Sequence, residues 1–457
     1  MNPSSRSIQR RRLRPLSTSS AMELWQNLSI GSMSMKKIEE RIDLVHRLIK
    51  VISANRDQLI ETAVKDAGFT LRECRIEVDM NLDNLRSFDE MVTVFSERQP
   101  ICHPDQEVVL LLPYNGSAWL NTAILSIFLV GNRVRVKFAT RGSDISRFTE
   151  SLYKPIFGNA ICFEYTDGRS FLENAMSNPN IPAICLFGSD DHALLYQNSV
   201  KKFGKKFIFE GPGKDPFIIL PGADVEAAAQ ELAFSKYIYA GQTCTAPERI
   251  YVHESFHDVF VERFVELSRQ VKTGDPADPD TQMGPVVSER AIANIKTQLK
   301  DALDKGARIV LGGCINGHMV YPTVVLGATQ DMLGMREETF GPVSYICSFQ
   351  NKDEALRLAR ENRYGLRASV YGDNKAVDFG NKLLGKSYSH PVDEITFGCF
   401  GTVGVNQGRS ESWVGAFVSK PVGGYGYSGW IWETIDNRFV LKQGPKLLSL
   451  ETSWEPS

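Results

Sequence analysis

The sequence lacks the features that mark a membrane protein, a nucleic-acid-binding protein or a disulfide-rich secreted protein. Its longest uncharged apolar stretch, residues 117–130, is shorter than the about 20 residues that a membrane-spanning helix requires. The 52 lysines and arginines are balanced by 54 aspartates and glutamates, so charge gives no reason to expect nucleic acid or an anionic membrane as a partner. The eight cysteines show no regular spacing and no CxxC pair, which argues against a disulfide framework or a zinc site.

The histidines are equally uninformative, because they are scattered without the spacing of metal ligands, and we predict no metal site. Free thiols are typical of the reducing cytosol, so we predict a cytoplasmic protein. The first 22 residues differ from the rest: they carry arginines at positions 6, 10, 11, 12 and 14 and no acidic residue before Glu23. A disordered tail or an upstream start codon explains this segment, and a mitochondrial transit peptide is the alternative, which would place the protein in the matrix.

What the sequence contains is the composition of an ordinary globular protein, with 42% hydrophobic and 23% charged residues. At 457 residues it is too long for one compact core, so two or three lobes are expected. From Met35 the apolar residues recur every three or four positions, which predicts helices. Residues 106–220 then alternate strand and helix, with strands predicted at 108–112, 133–138, 161–165, 183–187 and 207–210. This alternation predicts an α/β fold with a doubly wound parallel sheet, which binds ligands at the carboxyl ends of its strands.

One cysteine lies in a context that suggests chemistry, in the stretch Tyr239-Ala-Gly-Gln-Thr-Cys244. It follows a predicted helix, Val225–Tyr237, and precedes a β-branched run at 250–252 that reads as a strand. A lone cysteine is more often buried packing than a nucleophile, so its neighbours must decide. Loops held by rigid elements commonly present nucleophiles, which makes Cys244 a candidate.

Two further segments supply the groups that a cysteine nucleophile needs. Glu210 ends an apolar strand and enters a Gly/Pro turn, where apolar flanks favour a general base. Asn115 follows another predicted strand end and offers an amide donor for an oxyanion. A nucleophile, a base and a donor are the parts of an acyl-transfer site.

Taken in their order along the chain, these segments resemble the aldehyde dehydrogenase superfamily. The matching motifs are Pro113-Tyr-Asn115, Glu210-Gly-Pro-Gly-Lys214-Asp-Pro216, Gly241-Gln-Thr-Cys244, Glu338-Thr-Phe340-Gly-Pro342-Val343, Val136-Lys137, Asn362-Arg-Tyr-Gly365-Leu366, Val403-Gly-Val-Asn406 and Pro421-Val-Gly-Gly424. They cover roughly residues 36 to 435. The resemblance implies a cofactor domain at 23–90 and 106–212, a second α/β catalytic domain at 213–439, and a small bridging β element at 91–105 and 440–457 that joins subunits. It also implies a homodimer or homotetramer.

The resemblance implies roles for the site residues. Cys244 would be the nucleophile, Glu210 the base that activates water, and Asn115 the oxyanion donor. Lys137 would bind the adenosine ribose, Glu338 the nicotinamide ribose, and Phe340 would pack by the nicotinamide of NAD or NADP. Gly188 and Ser189 match the family's phosphate-side turn, although Ala193 replaces the glycine that usually follows.

The cofactor preference is predicted from Thr140. NAD-preferring relatives usually carry a glutamate there, which binds ribose hydroxyls and repels a 2′-phosphate. Thr140 removes that clash, and the adjacent Arg141 could grip a phosphate, although neighbouring side chains on a strand point opposite ways. We therefore expect NADP to be tolerated or preferred.

The substrate is an aldehyde whose identity the sequence leaves open. Aromatic residues near the carboxyl end lie by family position at the substrate mouth and favour an apolar or aromatic aldehyde, although a core role is the more common one: Trp413, Phe417, Tyr425, Tyr427, Trp430 and Trp432. Two alternatives remain at this point. One is an acylating, coenzyme A-dependent enzyme, which usually lacks the base that Glu210 supplies, and the other is a non-catalytic nucleotide-binding paralogue.

Overall fold

The computed structural model describes residues 35–86, 102, 105–116, 121–384, 388–389, 396–408 and 425–443. The predicted tail at 1–22, most of the bridging segment at 91–105, the part of the carboxyl-terminal strand beyond 443, and Trp413 and Phe417 lie outside these residues.

The described strands are, in chain order, β1 Glu107–Leu112, β2 Arg133–Phe138, β3 Ile161–Phe163, β4 Ala183–Phe187, β5 Lys206–Glu210, β6 Asp215–Ile219, β7 Pro247–His253, β8 Arg308–Leu311, β9 Ile315–Asn316, β10 Met319–Val320, β11 Thr323–Leu326, β12 Val343–Phe349, β13 Tyr364–Gly365, β14 Arg367–Tyr371, β15 Tyr388–Ser389, β16 Thr396–Phe397, β17 Thr402–Val405, β18 Tyr425–Gly426, β19 Gly429–Ile435 and β20 Arg438–Lys442.

The described α-helices are α1 Met35–Ala54, α2 Arg56–Ala67, α3 Leu71–Arg86, α4 Asn121–Leu129, α5 Ser143–Phe157, α6 Gly168–Ser177, α7 Asp190–Leu194, α8 Gln197–Phe203, α9 Val225–Tyr237, α10 His257–Arg269, α11 Glu289–Asp304, α12 Leu333–Arg336, α13 Lys352–Arg360 and α14 Ala376–Leu383. Helix α9 has the predicted bounds, and Asp224 caps it by accepting a hydrogen bond from the Ala227 N–H at 3.0 Å. Between β4 and β5 the chain forms two short helices, α7 and α8, and Tyr196 between them packs on Phe207.

The first sheet has seven strands in the order β20-β19-β5-β4-β1-β2-β3. The pairs β5-β4, β4-β1, β1-β2 and β2-β3 are parallel, which confirms the predicted doubly wound sheet. Its strands are buried on both faces, as expected where helices cover a parallel sheet on either side.

The antiparallel hairpin β19-β20 extends this sheet beyond β5, with Gly429 opposite Glu210. The family resemblance placed residues up to 439 in the second domain and later residues in a bridging strand, so the membership of 429–442 in the first sheet is a correction. The physical reason is apolar burial, since Trp430 packs on Phe209 and Trp432 on Phe207. The expectation that these two tryptophans flank the substrate mouth is wrong, because both are core residues.

The second sheet has seven strands in the order β17-β14-β6-β7-β12-β11-β8, all parallel to their neighbours except β8. Strands β6, β11 and β17 were not located by sequence patterning. The mixed α/β fold class is confirmed, whereas the domain boundaries other than that of 429–442 stay a prediction.

The two sheets meet end to end in a way that creates the site. Strands β1, β4 and β5 of the first sheet end at Leu112, Phe187 and Glu210. Strands β6, β7 and β12 of the second sheet begin at Asp215, Pro247 and Val343, just after the loops that carry the other predicted site residues. Loops at both edges therefore face one shared space.

Candidate active site

A cavity of about 1250 Å³ lies between the two sheets. The predicted site residues that line it are Asn115, Lys137, Thr140, Gly188, Ser189, Glu210, Cys244, Glu338 and Phe340. Arg141 is exposed and, among the described residues around the cavity, contributes nothing to its wall. The structure thus brings together all of the predicted residues but one, while their chemical roles stay predictions.

The loop that carries Cys244 has an unusual backbone. Tyr239, Ala240 and Gly241 adopt successive φ angles of 56°, 51° and 70°, the left-handed region that side-chain-bearing residues rarely occupy. At Gly241 an added Cβ would lie 2.3 Å from the carbonyl oxygen of Gly341, so the position needs glycine for space as well as for conformation. Such a loop persists only where its surroundings hold it.

Two buried side chains hold this loop. Glu73 on α3 accepts a hydrogen bond at Oε1 from the Tyr239 N–H, at 2.5 Å, and one at Oε2 from the Thr70 N–H, at 2.8 Å. Gln242 donates through Nε2 to the carbonyl oxygens of Tyr239 and Pro285, at 2.9 and 3.0 Å. Sequence reasoning missed Glu73, although the spacing Thr70-x-x-Glu73 is the signature of a capping box.

The Asn115 segment is tied to the same loop. Tyr114 donates from its hydroxyl to Gln242 Oε1 at 3.2 Å, and its ring packs with those of Phe69 and Phe340. Because Asn115 follows Tyr114 directly and lines the cavity, its position is coupled to that of Cys244.

Glu210 is the last residue of β5 and is only 8% exposed. The chain then passes through Gly213, where a Cβ would lie 2.0 Å from the carbonyl oxygen of Cys244. The Gly213 N–H donates to Glu338 Oε1 at 3.0 Å. The short link between β5 and β6 therefore touches both the Cys244 loop and the Glu338 loop.

A buried ion pair holds the loop that carries Glu338 in place. Lys214 Nζ lies 2.5 Å from Glu248 Oε2. The Glu248 carboxylate also accepts hydrogen bonds from the backbone N–H groups of Thr339 and Phe340, at 2.8 and 2.9 Å. Burial alone would raise the pKa of Glu248, but Lys214, Lys236 and the hydrogen bond from the Thr339 N–H together outweigh it, and the pKa lies below its usual value. The anchored turn holds Phe340 at a φ of 54°.

The pKa of Glu338 is shifted in the opposite direction. Burial raises it well above its usual value, and the negative charge of Glu248 adds to the effect. The N–H of Gly213 opposes the shift without cancelling it.

The other end of the cavity carries the predicted cofactor residues. Lys137 near the end of β2 is buried and donates to the Phe138 carbonyl oxygen at 3.1 Å, and burial lowers its pKa. Thr140 is exposed at the rim. A Cβ at Gly188 would come no closer than 4.0 Å to Leu186 Cδ1, so the backbone is open to the cavity there. The space, the ammonium group of Lys137, the hydroxyl groups of Thr140 and Ser189 and the Glu338 carboxylate suit a dinucleotide.

Several charged residues line the cavity without having been predicted, and two of them, Arg363 and Asp190, form a pair. Arg363 forms an ion pair with Asp190, and the two lie 173 positions apart in the chain. No local sequence pattern signals such a pair. The described residues include no cluster of His, Cys, Asp or Glu fit to hold a metal ion, and no described helix is long and apolar enough to cross a membrane.

Comparisons with known proteins agree with this arrangement. The aldehyde dehydrogenase family profile matches residues 28–434. The succinate-semialdehyde dehydrogenase [NADP(+)] of Deinococcus radiodurans is 29% identical over 358 residues, which are 74% of each chain. The salicylaldehyde dehydrogenase of Pseudomonas sp. strain C18 is 31% identical over 368 residues, 75% of each chain.

A solved structure extends the likeness to three dimensions. The crystal structure of succinic semialdehyde dehydrogenase from Streptococcus pyogenes in complex with NADP+ aligns with a TM-score of 0.76 and 26% identity, over 90% of this chain and 89% of that one. The family match spans every predicted site residue, the whole second sheet and the first sheet up to residue 434 in β19. The chain therefore belongs to the aldehyde dehydrogenase family, whose members are oxidoreductases that act on aldehydes.

Proposed function

We propose that this protein oxidises an aldehyde to the carboxylic acid with NADP or NAD, through a thioacyl intermediate on Cys244. The observation that supports this most is the convergence of Cys244, Glu210 and Asn115 on one cavity whose other end suits a dinucleotide.

In the first step the Cys244 thiolate adds to the aldehyde carbon and forms a thiohemiacetal. The carbonyl oxygen becomes an oxyanion, which accepts hydrogen bonds from the Asn115 amide and the backbone N–H of Cys244. Coupling of the two loops through Tyr114 and Gln242 supports this role, since donors must be placed before charge develops.

The nicotinamide cofactor, when bound, accepts the hydride that leaves the former aldehyde carbon. The residues proposed to hold it are Lys137 and Glu338 at the two riboses, Gly188 and Ser189 at the phosphates, and Phe340 beside the nicotinamide. The neutral form that burial favours for Glu338 has one acidic proton to donate and a carbonyl oxygen to accept, which suits a pair of ribose hydroxyls.

In the last step Glu210 takes a proton from water, the water oxygen attacks the thioester carbon, and the carboxylic acid leaves as the C–S bond breaks. A buried carboxylate at the end of β5 favours this hydrolysis over transfer of the acyl group to coenzyme A. The homodimer or homotetramer stays a prediction.

An aldehyde panel assayed with NAD and NADP, on the wild-type protein and on Cys244→Ala, tests the proposal. We expect turnover by the wild type and none by the variant, which should still bind cofactor. Cys347→Ala is a matched control, because Cys347 lies within β12 away from the cavity. Full activity of Cys244→Ala would disprove the assignment of the nucleophile.

A further inference from the structure

An ion pair joins the two halves of the cavity wall. Asp190 opens α7 immediately after Gly188 and Ser189, at the edge of the first sheet. Arg363 directly precedes β13 and donates to Asp190 Oδ2. The guanidinium group therefore lies beside the turn proposed to hold the cofactor phosphates.

The guanidinium group is held in place by more than this pair. Its central carbon lies 4.9 Å from the ring centre of Tyr364 and 4.7 Å from that of Tyr427. The Tyr427 N–H also donates to the Arg363 carbonyl oxygen at 2.8 Å. Little conformational entropy remains to be lost if a ligand binds this side chain.

The charges around Arg363 are mostly negative. Asp190 and Glu337 line the same part of the cavity, and Arg363 NH1 lies 3.8 Å from Glu337 Oε1. A diphosphate would be repelled by these carboxylates unless a cation stood between them and the ligand. A guanidinium group has five N–H donors, more than Asp190 and Glu337 use, and its planar fork suits phosphate oxygens.

We propose that Arg363 binds the diphosphate of the dinucleotide and that Asp190 is its partner in the empty site. This inference rests on the proposed function, because it takes the ligand to be NAD or NADP. Asp190 orients the arginine but also competes with the phosphates for it. The two members of the pair therefore have opposite effects on ligand affinity.

Equilibrium binding of three ligands tests this without any turnover. NADP+ and 2′-phosphoadenosine diphosphoribose carry the diphosphate, whereas adenosine 2′-monophosphate lacks it. Arg363→Gln should weaken the first two about tenfold, the loss of about 1.4 kcal/mol expected for a charge-assisted hydrogen bond, and leave the third unchanged. Asp190→Asn should tighten the first two several-fold, because it removes a competing negative charge.

The control variant is Arg357→Gln, an exposed arginine on α13 outside the described cavity wall, and it should leave all three dissociation constants unchanged. If the ion pair served only to brace the two halves of the molecule, both variants would weaken binding together, and weaker binding by Asp190→Asn would overturn the proposal. The proposal would also be overturned if Arg363→Gln weakened the binding of all three ligands by the same factor. If the wild type bound none of the ligands, the proposed function itself would fail, which is a separate result.

Discussion

The carboxylate of Glu73 shows how one buried residue links folding to pH. It is 1% exposed, and burial raises its pKa from 4.5 to about 7, although the hydrogen bonds that it accepts from two backbone N–H groups act in the opposite direction. A raised pKa means that the folded protein favours the protonated form more than the unfolded chain does. The corresponding stability is present in full below about pH 4.5 and is lost as the pH rises through 7.

We predict that Glu73→Gln removes this pH dependence. Between pH 5 and pH 8 the wild type should lose about 2 to 3 kcal/mol of unfolding free energy relative to the variant, because the pKa of Glu73 rises from 4.5 to about 7 on folding. Urea unfolding of both proteins at the two pH values measures this. Glu61→Gln, at an exposed position on α2, is the control and should behave like the wild type. A parallel pH response of wild type and Glu73→Gln would show that Glu73 is not the titrating group.

Thr140 carries the prediction on cofactor choice. It lies at the cavity rim where a glutamate would repel a 2′-phosphate by about 1 to 4 kcal/mol. We expect kcat/KM for NADP to be at least equal to that for NAD, and Thr140→Glu to shift the ratio towards NAD by at least about tenfold. Arg141 is exposed away from the described cavity wall, so Arg141→Gln should change the ratio little. A wild type that prefers NAD tenfold would contradict this reading of Thr140.

At the scale of elements, the link between β5 and β6 positions the site. Its central residue, Gly213, touches the Cys244 carbonyl oxygen and donates to Glu338. Gly213→Ala should displace the Cys244 loop, destabilise the protein by about 1 to 3 kcal/mol and lower kcat/KM at least tenfold. Steady-state kinetics on folded protein, with the rate of Cys244 alkylation by iodoacetamide, provide the measurement.

Gly158→Ala separates the loop effect from a general loss of stability. Gly158 has a φ of 54°, and no described atom lies within 4 Å of a Cβ there, so its variant is strained but far from steric conflict. It should lose stability and keep its kcat/KM. Equal kinetic loss in the two variants would show that the close approach of Gly213 to Cys244 does not matter.

The sequence predicted those elements that depend on interactions between residues close together in the chain, and it failed for elements that depend on residues far apart in the chain. Strands such as β2 and β4 and helix α9 were placed with their observed bounds, because a continuous apolar run or a capped helix is a local signal. The hairpin β19-β20 was assigned to the wrong part of the molecule, because pairing with β5 depends on packing of Trp430 and Trp432 against distant phenylalanines.

The same distinction applies to the site. Motifs located Cys244, Glu210 and Asn115, and the structure brings them to one cavity. Arg363 lies within the motif Asn362-Arg-Tyr-Gly365-Leu366, but no motif indicates its pairing with Asp190, because the two residues meet only in the folded molecule. Glu73 was missed for the same reason, because its capping box is local but its bond to Tyr239 spans 166 positions.

At the scale of the whole molecule, the site depends on the two sheets meeting end to end. The first sheet contributes Asn115 and Glu210 from the carboxyl ends of its strands, and the second contributes Cys244 and Glu338 from the loops before its strands. Because Cys244 would carry the acyl group as a thioester, the reaction has two steps, acylation and hydrolysis, and the base acts in the second. Loss of the base should therefore stop the reaction between these two steps.

The most direct test is intact-mass analysis of Glu210→Gln after mixing with aldehyde and NADP+. We predict a burst of about one equivalent of reduced cofactor, an acyl adduct that maps to Cys244, and a steady-state rate lower by about 10²- to 10⁴-fold, the usual loss for a general base. Glu433→Gln, a variant of a carboxylate in β19 paired with Lys206, is the control and should turn over without accumulating adduct. Unimpaired turnover by Glu210→Gln, or a stalled enzyme with no acyl group on Cys244, would contradict the account.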